Sequence, residues 1–336
     1  MKQLLFFILL LQSLISSAQS KKEVFEIAAP GRRVGGAIYN SIRLVDLRPD
    51  PEDFGLVQIG AFDRTEKVVV QIPLEEQLKK LVSRLSLSTS QAGELVLVIR
   101  YFSFAEVNTP LGVKGYCYLR AVLFGGNEER YRRLDIIDTA VLVKTMDPTQ
   151  PMLRKGSKLL TDFIADNLIR AAVDSQVYTF NQLYYIDKIE KAKLPAYSTI
   201  SYPDGLYKTY EDFANLRPTE ATLKVSFSKK GDVRLASRIN DKGKPETLNP
   251  KDAYAFVFEG KPYIVTEYGY YILKRKVGDF YFTGRAKNQG DEPDIITATF
   301  FFGILGTLLA SEMSSYLEMK VDYLSGGFIR LRPARE

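Results

Sequence analysis

Between Glu94 and Thr145 three long β-prone segments follow one another with little interruption: Glu94–Phe104, Val113–Phe124 and Arg132–Thr145. Few folds accept such a run. Leu95–Ile99 is apolar at every position, the pattern of a central strand covered on both faces, whereas a strand with one wet face alternates. Upstream, Ser41–Leu47 does alternate, and Arg48-Pro-Asp-Pro51 breaks it with two prolines that fix φ in a turn. Gly55–Gly60 and Lys67–Gln71 read as further strands. A helix then begins with Pro73 near its first turn. Leu74, Leu78, Leu81, Val82 and Leu85 fall at i, i+4, i+7, i+8 and i+11, one face at the helical period. A second helix is predicted from Leu153 to Val173, with Leu159, Leu160, Phe163, Ile164, Leu168 and Ile169 as its stripe. The expected fold class is α+β, a sheet with two helices packed on one face.

The pattern changes after this region. Tyr178–Lys193 reads as a connecting helix, and Leu194–Gly205 breaks it with two prolines and a glycine. Thr209–Pro218 reads as a short helix, with Thr209 and Asp212 spaced as a cap and Pro218 as its stop. From Ala221 to Ala286 short strands alternate with hairpin-like loops at Lys229–Asp232, Asn240–Gly243 and Glu259–Pro262. Met319–Arg332 is again β-like and is expected to return to the same sheet or barrel. The division is therefore a signal peptide (1–18), an α+β domain (19–177), a connecting helix and linker (178–203) and a smaller, mainly antiparallel β domain (204–336).

The signal peptide rests on Lys2, the apolar stretch Leu4–Leu14 and the small residues Ser16-Ser17-Ala18, which predict cleavage after Ala18. No cysteine follows that stretch, so the usual lipid-anchoring position is missing. The expected location is the periplasm or cell envelope. The one cysteine, Cys117, allows no intrachain disulfide and sits in a strand, where a buried inert thiol is expected. Histidine is absent. That excludes Ser-His-Asp and Cys-His machinery, HExxH zinc sites and His-based metal triads. Tryptophan is absent too, which counts against an indole platform for sugars. A net charge of +6 spread over 336 residues, with basic groups no longer than Lys274-Arg275-Lys276, does not call for nucleic acid.

Ile295–Ser311 is the unusual segment, seventeen uncharged residues between Asp294 and Glu312. As a helix it would span about 25 Å, slightly short of a bilayer's hydrocarbon core of about 30 Å. A crossing there would put Lys320, Arg330, Arg332 and Arg335 on the cytoplasmic side. A buried helix or hairpin, membrane embedding and a partner surface all remain open readings. The residues offered for membrane or partner contact are Phe300, Phe301, Phe302, Ile304, Leu305, Leu308 and Leu309. Acids cluster at Asp46, Asp50, Glu52 and Asp53, and at Asp291, Glu292 and Asp294. Paired carboxylates can act as general acid and base when their environments separate their pKa values, but neither group has the spacing of a calcium loop. Ser226-Phe-Ser-Lys229 matches S-x-x-K without its companion motifs, and no phosphate-cradling glycine loop is present. No catalytic residue, metal site or cofactor is assigned.

Two stretches resemble known proteins. Ile189–Tyr197, Asp204–Phe213 and Arg217-Pro218 resemble a module of exported proteins from Bacteroidetes-type bacteria that have no assigned function; it covers roughly Lys188 to the end of the chain. Val45-Asp46-Leu-Arg48-Pro49, with Ile59-Gly60 soon after, is similar to the opening hairpin of YajG-type lipoproteins and ABC-transporter auxiliary components. That resemblance implies an accessory role at a membrane. The expected function is thus an exported, non-catalytic envelope protein that binds or scaffolds at a membrane surface, with a membrane or an envelope protein as partner. A carboxylate-based hydrolase and a periplasmic binder of an apolar ligand are the alternatives. The oligomeric state is left open.

Overall fold

Leu95–Ile99 lies at the centre of a seven-stranded sheet in the computed structural model, which describes residues 22–59, 64–87, 90–109, 112–219, 222–285 and 316–333. The strands are β1 (Glu23–Val24), β2 (Tyr39–Asp46), β3 (Gly55–Ile59), β4 (Arg64–Val69), β5 (Gly93–Thr109), β6 (Gly112–Asn127) and β7 (Arg130–Lys144). Their order is β1-β4-β3-β5-β6-β7, with β2 also beside β5. β5, β6 and β7 form an antiparallel meander. β2 and β3 both run parallel to β5, on the edge that β6 leaves free. The Arg48–Pro51 turn is therefore an excursion between two stretches of chain on one strand edge. Gly55, at φ +97°, is where the chain rejoins β5, and a Cβ there would stand 1.9 Å from the Phe104 carbonyl oxygen.

Two helices, α1 (Leu74–Leu85) and α2 (Thr149–Asn167), cover one face of this sheet. The whole predicted stripe of α1 is buried, against Leu95, Leu97, Ile99, Phe102 and Phe104 among others. α2 starts four residues earlier than its apolar period suggests, because Pro148 and Pro151 fall where the helix has no backbone bonds to lose. It ends sooner too: Ile169 lies beyond it, 53% exposed. Gly156 lets α2 lie close to the sheet, since a Cβ there would meet the Phe104 ring at 2.5 Å.

The other face is equally apolar, so it also needs a cover. Val45, Val96, Val98, Val122 and Phe124 bury against Tyr178, Leu183 and Ile186. The stretch read as a connecting helix is in fact two short helices, α3 (Phe180–Leu183) and α4 (Ile186–Ala192). Tyr178 exchanges both backbone hydrogen bonds with Tyr131 of β7, each 2.8 Å long.

Among the described residues, the remainder forms three antiparallel sheets with two one-turn helices, α5 (Pro195–Ser198) and α6 (Tyr210–Ala214). One sheet joins β9 (Leu223–Phe227), β10 (Val233–Ile239) and β11 (Pro245–Thr247). The second joins β8 (Gly205–Tyr207), β12 (Ala255–Phe258), β13 (Lys261–Thr266) and β14 (Gly269–Ile272). The third joins β15 (Lys274–Lys276), β16 (Asp279–Gly284), β17 (Leu317–Val321) and β18 (Phe328–Pro333). All three predicted hairpin loops fall between paired strands. Thr209 and Asp212 form a reciprocal capping box at the start of α6. The α+β class and the mainly antiparallel second unit are thus as the sequence indicates.

Glu106 is buried where β5, β3 and the start of α2 meet, accepting hydrogen bonds from the Gln58 amide at 2.8 Å and the Thr149 hydroxyl at 2.5 Å. Burial raises its carboxyl pKa, a shift only partly opposed by those two donors. The folded chain therefore holds this proton at pH values where the unfolded chain has released it. Stability is expected to fall as pH rises from the ordinary carboxylate range, near about 4.3, through the raised value. Glu106→Gln should flatten that slope in urea midpoints taken across pH. An unchanged slope would mean Glu106 does not cause it.

Candidate functional site

Two arginines inside apolar strands organise the junction of the two halves. Arg100 follows Val96 and Val98 on the second face of the sheet by strand alternation, and a register shift between Ile99 and Tyr101 then returns Phe102 and Phe104 to the first face. Arg100 donates from Nε to Asp187 and from Nη2 to Glu190, both at 2.7 Å, and the Tyr323 hydroxyl lies 2.6 Å from the same glutamate. Asp187 and Glu190 stand three residues apart on α4, and so on one helix face. Arg120, on β6, is 3% exposed and sits between Asp138 of β7 at 2.9 Å and Asp322, just past β17, at 2.6 Å. The Tyr118 hydroxyl donates to Asp138, and the Ser325 hydroxyl to Asp322. A third junction centres on Asp279 of β16, which pairs with Lys191 of α4 at 2.6 Å and Lys320 of β17 at 3.0 Å.

These groups form a seam joining the first sheet, α4 and the last sheet. Burial works against the charge on Arg120, yet Asp322, Tyr118 and Asp138 more than offset it and hold the guanidinium protonated. Arg100 behaves alike, with burial opposed by Tyr323, Asp187 and Glu190. Burial also raises the tyrosine hydroxyls beside the seam, Tyr101, Tyr197, Tyr210 and Tyr323. Each seam carboxylate faces a cation, and each phenol is held neutral. Such a set fixes the geometry of the junction.

The acids near the first turn serve that turn. Arg48 reaches back to Asp46 at 2.7 Å, donates to the carbonyls of Asp53, Phe102 and Pro51, and lies over the Phe54 ring. Asp53 and Asp50 accept from the Gly55 and Glu52 amides. The turn borders an open groove of about 1120 Å³ that also meets Val24, Lys67 and the start of α1. Asp291, Glu292 and Asp294 lie outside the described residues. Among the described residues no group of three or more His, Cys, Asp or Glu could hold a metal ion. Cys117 is fully buried, and burial pushes its thiol above the ordinary value.

The proposed contact residues Phe300, Phe301, Phe302, Ile304, Leu305, Leu308 and Leu309 also lie outside the described residues, but the strands that flank them do not. Gly284 of β16 pairs with Leu317 of β17, and Tyr281 with Lys320. Both flanks of Ile295–Ser311 therefore belong to one sheet, with paired Cα atoms about 5 Å apart. A single crossing by that run would put Tyr281 and Lys320, which are neighbours in this sheet, on opposite sides of a bilayer. The arrangement with Lys320 and Arg330 across a membrane from the preceding chain does not fit this sheet. Lys320 is instead bound into the seam, and Arg330 pairs with Met319. No helix among the described residues is long and apolar enough to cross a membrane. The flanks emerge beside aromatic groups: Tyr316, 52% exposed, stands edge-on to Tyr271, which stacks on Phe282, and Arg285 lies over the Tyr316 ring.

No protein-family model matches the chain, and no curated protein matches it. Among solved structures, the chain is similar to the crystal structure of protein XCC0632 from Xanthomonas campestris, of family DUF330. The identity is 11%, over 44% of this chain and 94% of that one, with a TM-score of 0.28, too low to bear on fold or function.

Proposed function

We propose that the chain is an exported, non-catalytic cell-envelope protein that binds or scaffolds at a membrane surface. The observation that carries this reading is the connectivity of the last sheet. An apolar run is inserted between two paired strands, at the strand ends Gly284 and Leu317. Asp279 and Asp322, which enter the seam, lie at the opposite ends of those strands, about 17 Å away. The second unit thus offers an apolar insertion at one end and a charged clamp on the first unit at the other. Contact with the membrane is made from one side, by embedding in the interface. Three of the four acids around the first turn, Asp46, Asp50 and Asp53, already have hydrogen-bonding duties in that turn, which favours this reading over the hydrolase alternative.

Vesicle flotation tests this. The chain beginning at Gln19 should rise through a sucrose gradient with vesicles of phosphatidylethanolamine and phosphatidylglycerol. The same chain lacking 295–311, with an unchanged circular dichroism spectrum, should stay at the bottom. Residues 286–294 and 312–315 remain to join β16 to β17 in the deletion. If neither chain floats, or both do, the reading is wrong.

A further inference from the structure

The second unit holds a cleft of about 440 Å³ beside β14, the outer strand of its sheet. That volume is within the range of small-ligand sites, about 300–1,000 Å³. Five tyrosines line it, together with Asp232 in the turn before β10 and Thr283 of β16. Among the described residues no Lys, Arg, Asn or Gln side chain joins them. The Tyr270 hydroxyl donates to the Leu248 carbonyl at 2.6 Å, and the Tyr271 hydroxyl bends back towards the Tyr268 carbonyl at 3.4 Å. Both rings are thereby held as walls. Tyr316 stands edge-on to Tyr271, with planes at 87° and centroids 6.2 Å apart, so two walls meet at a corner. Burial keeps the Tyr263, Tyr270 and Tyr271 hydroxyls neutral, which leaves Asp232 as the charged group of the lining.

Aromatic faces attract cations, and a carboxylate beside them adds the opposite charge. A sugar would instead call for amide or basic side chains to read its hydroxyls, and this lining has neither. Arg285 already displays the chemistry, its guanidinium carbon 5.2 Å from the centre of the Tyr316 ring. The cleft also has a telling position. Thr283 and Tyr316 immediately precede Gly284 and Leu317, the paired strand ends between which 295–311 is inserted. Tyrosine is a residue type that settles at the headgroup level of a bilayer. We propose that this cleft takes the ammonium headgroup of a membrane lipid of the phosphatidylethanolamine class, with tyrosine rings and Asp232 facing the cation. The site depends on the membrane contact proposed above for 295–311 and adds the headgroup selected there.

Saturation-transfer NMR with glycerophosphoethanolamine reads the cleft without a membrane. On the chain beginning at Gln19, the ethanolamine methylene protons should receive saturation, whereas glycerophosphate and methyl glucoside should receive none. Asp232→Asn and Tyr316→Ala, both at exposed positions, should each weaken binding about two- to fivefold with an unchanged circular dichroism spectrum. On vesicles of phosphatidylethanolamine and phosphatidylglycerol, Asp232→Asn should float less than the parent chain. The two should float alike once the ethanolamine nitrogen is acetylated and carries no charge. If the parent chain floats but glycerophosphoethanolamine receives no saturation, or if both substitutions leave its binding unchanged, the cleft is not a headgroup site and the membrane reading stands. Saturation of methyl glucoside alone would make it a sugar site and overturn the proposal. If the headgroup binds but the chain does not float, the ligand is a soluble amine, and the lipid assignment fails with the membrane reading.

Discussion

Arg120→Met is expected to lower the unfolding free energy by about 3–5 kcal/mol, the usual cost of stranding a buried charge. Arg120 is held by Asp138 on one side and Asp322 on the other, and Asp322 is itself nearly inaccessible. Its remaining neighbours are the Ser325 hydroxyl and the Leu324 amide, which cannot replace a cation. Removing Asp322 as well, as Arg120→Met with Asp322→Leu, should recover a large part of the loss. Well-packed apolar groups often match or exceed a buried ion pair in stability. The interaction free energy from the double-mutant cycle should fall in the range of about 0.5–3 kcal/mol. Urea unfolding followed by circular dichroism measures all three variants. A loss below about 1 kcal/mol for the single variant would show that the seam is solvated and does not tie the two units together.

Much of the first sheet was legible because its signals are local. The apolar run Leu95–Ile99 and the 3.6-residue stripe of α1 each reflect which face of an element is dry, and a window of ten residues contains that information. β1 was invisible: two residues, Glu23 and Val24, carry no period, and they form a strand only because β4 lies beside them. The α3–α4 region read as one helix because its spacing is helical, although its role is to cover the second face of the sheet. The apolar stripe of α2 marks the chain from Leu153 onward, whereas the helix begins at Thr149 with Pro151 in its first turn, where a missing backbone donor costs nothing.

The seam shows why a site can escape such reading. Arg100 and Arg120 do leave a mark, each the one charge in a ten-residue stretch, Leu95–Phe104 and Gly115–Phe124. A cation that deep requires a partner. The partners, however, are 87 residues away for Asp187 and 202 for Asp322. Nothing in their own surroundings marks them, since Asp322 looks like an ordinary turn acid before Ser325-Gly326-Gly327. The acids around Pro49 and Pro51 are conspicuous in the sequence because turns collect acids, and Arg48 holds the nearest of them for the turn's own sake. The residues with the most buried polar work were those with the plainest local context.

The second large effect is expected on the opposite face of the first sheet and should have a different character. Phe25 is fully buried among Phe54, Phe102 and Phe104, with ring centroids 5.1–6.1 Å away. Phe25→Ala should cost about 3–5 kcal/mol, as for other large core aromatics. Little else holds this segment: the Phe25 amide bonds the Val69 carbonyl, the Ile27 amide the Gln77 side chain, and the Ala28 amide the Ser157 hydroxyl. The loss should therefore appear first as local opening. Hydrogen exchange should speed up over residues 23–28 and their partners in β4, while amides of β5 and β6 keep their protection until the chain unfolds as a whole. Arg120→Met should do the reverse, lowering protection in β6 and β17 together. If Phe25→Ala instead speeds exchange evenly across the sheet, the aromatic cluster is part of the global unfolding unit, and the N-terminal strand cannot be detached from it.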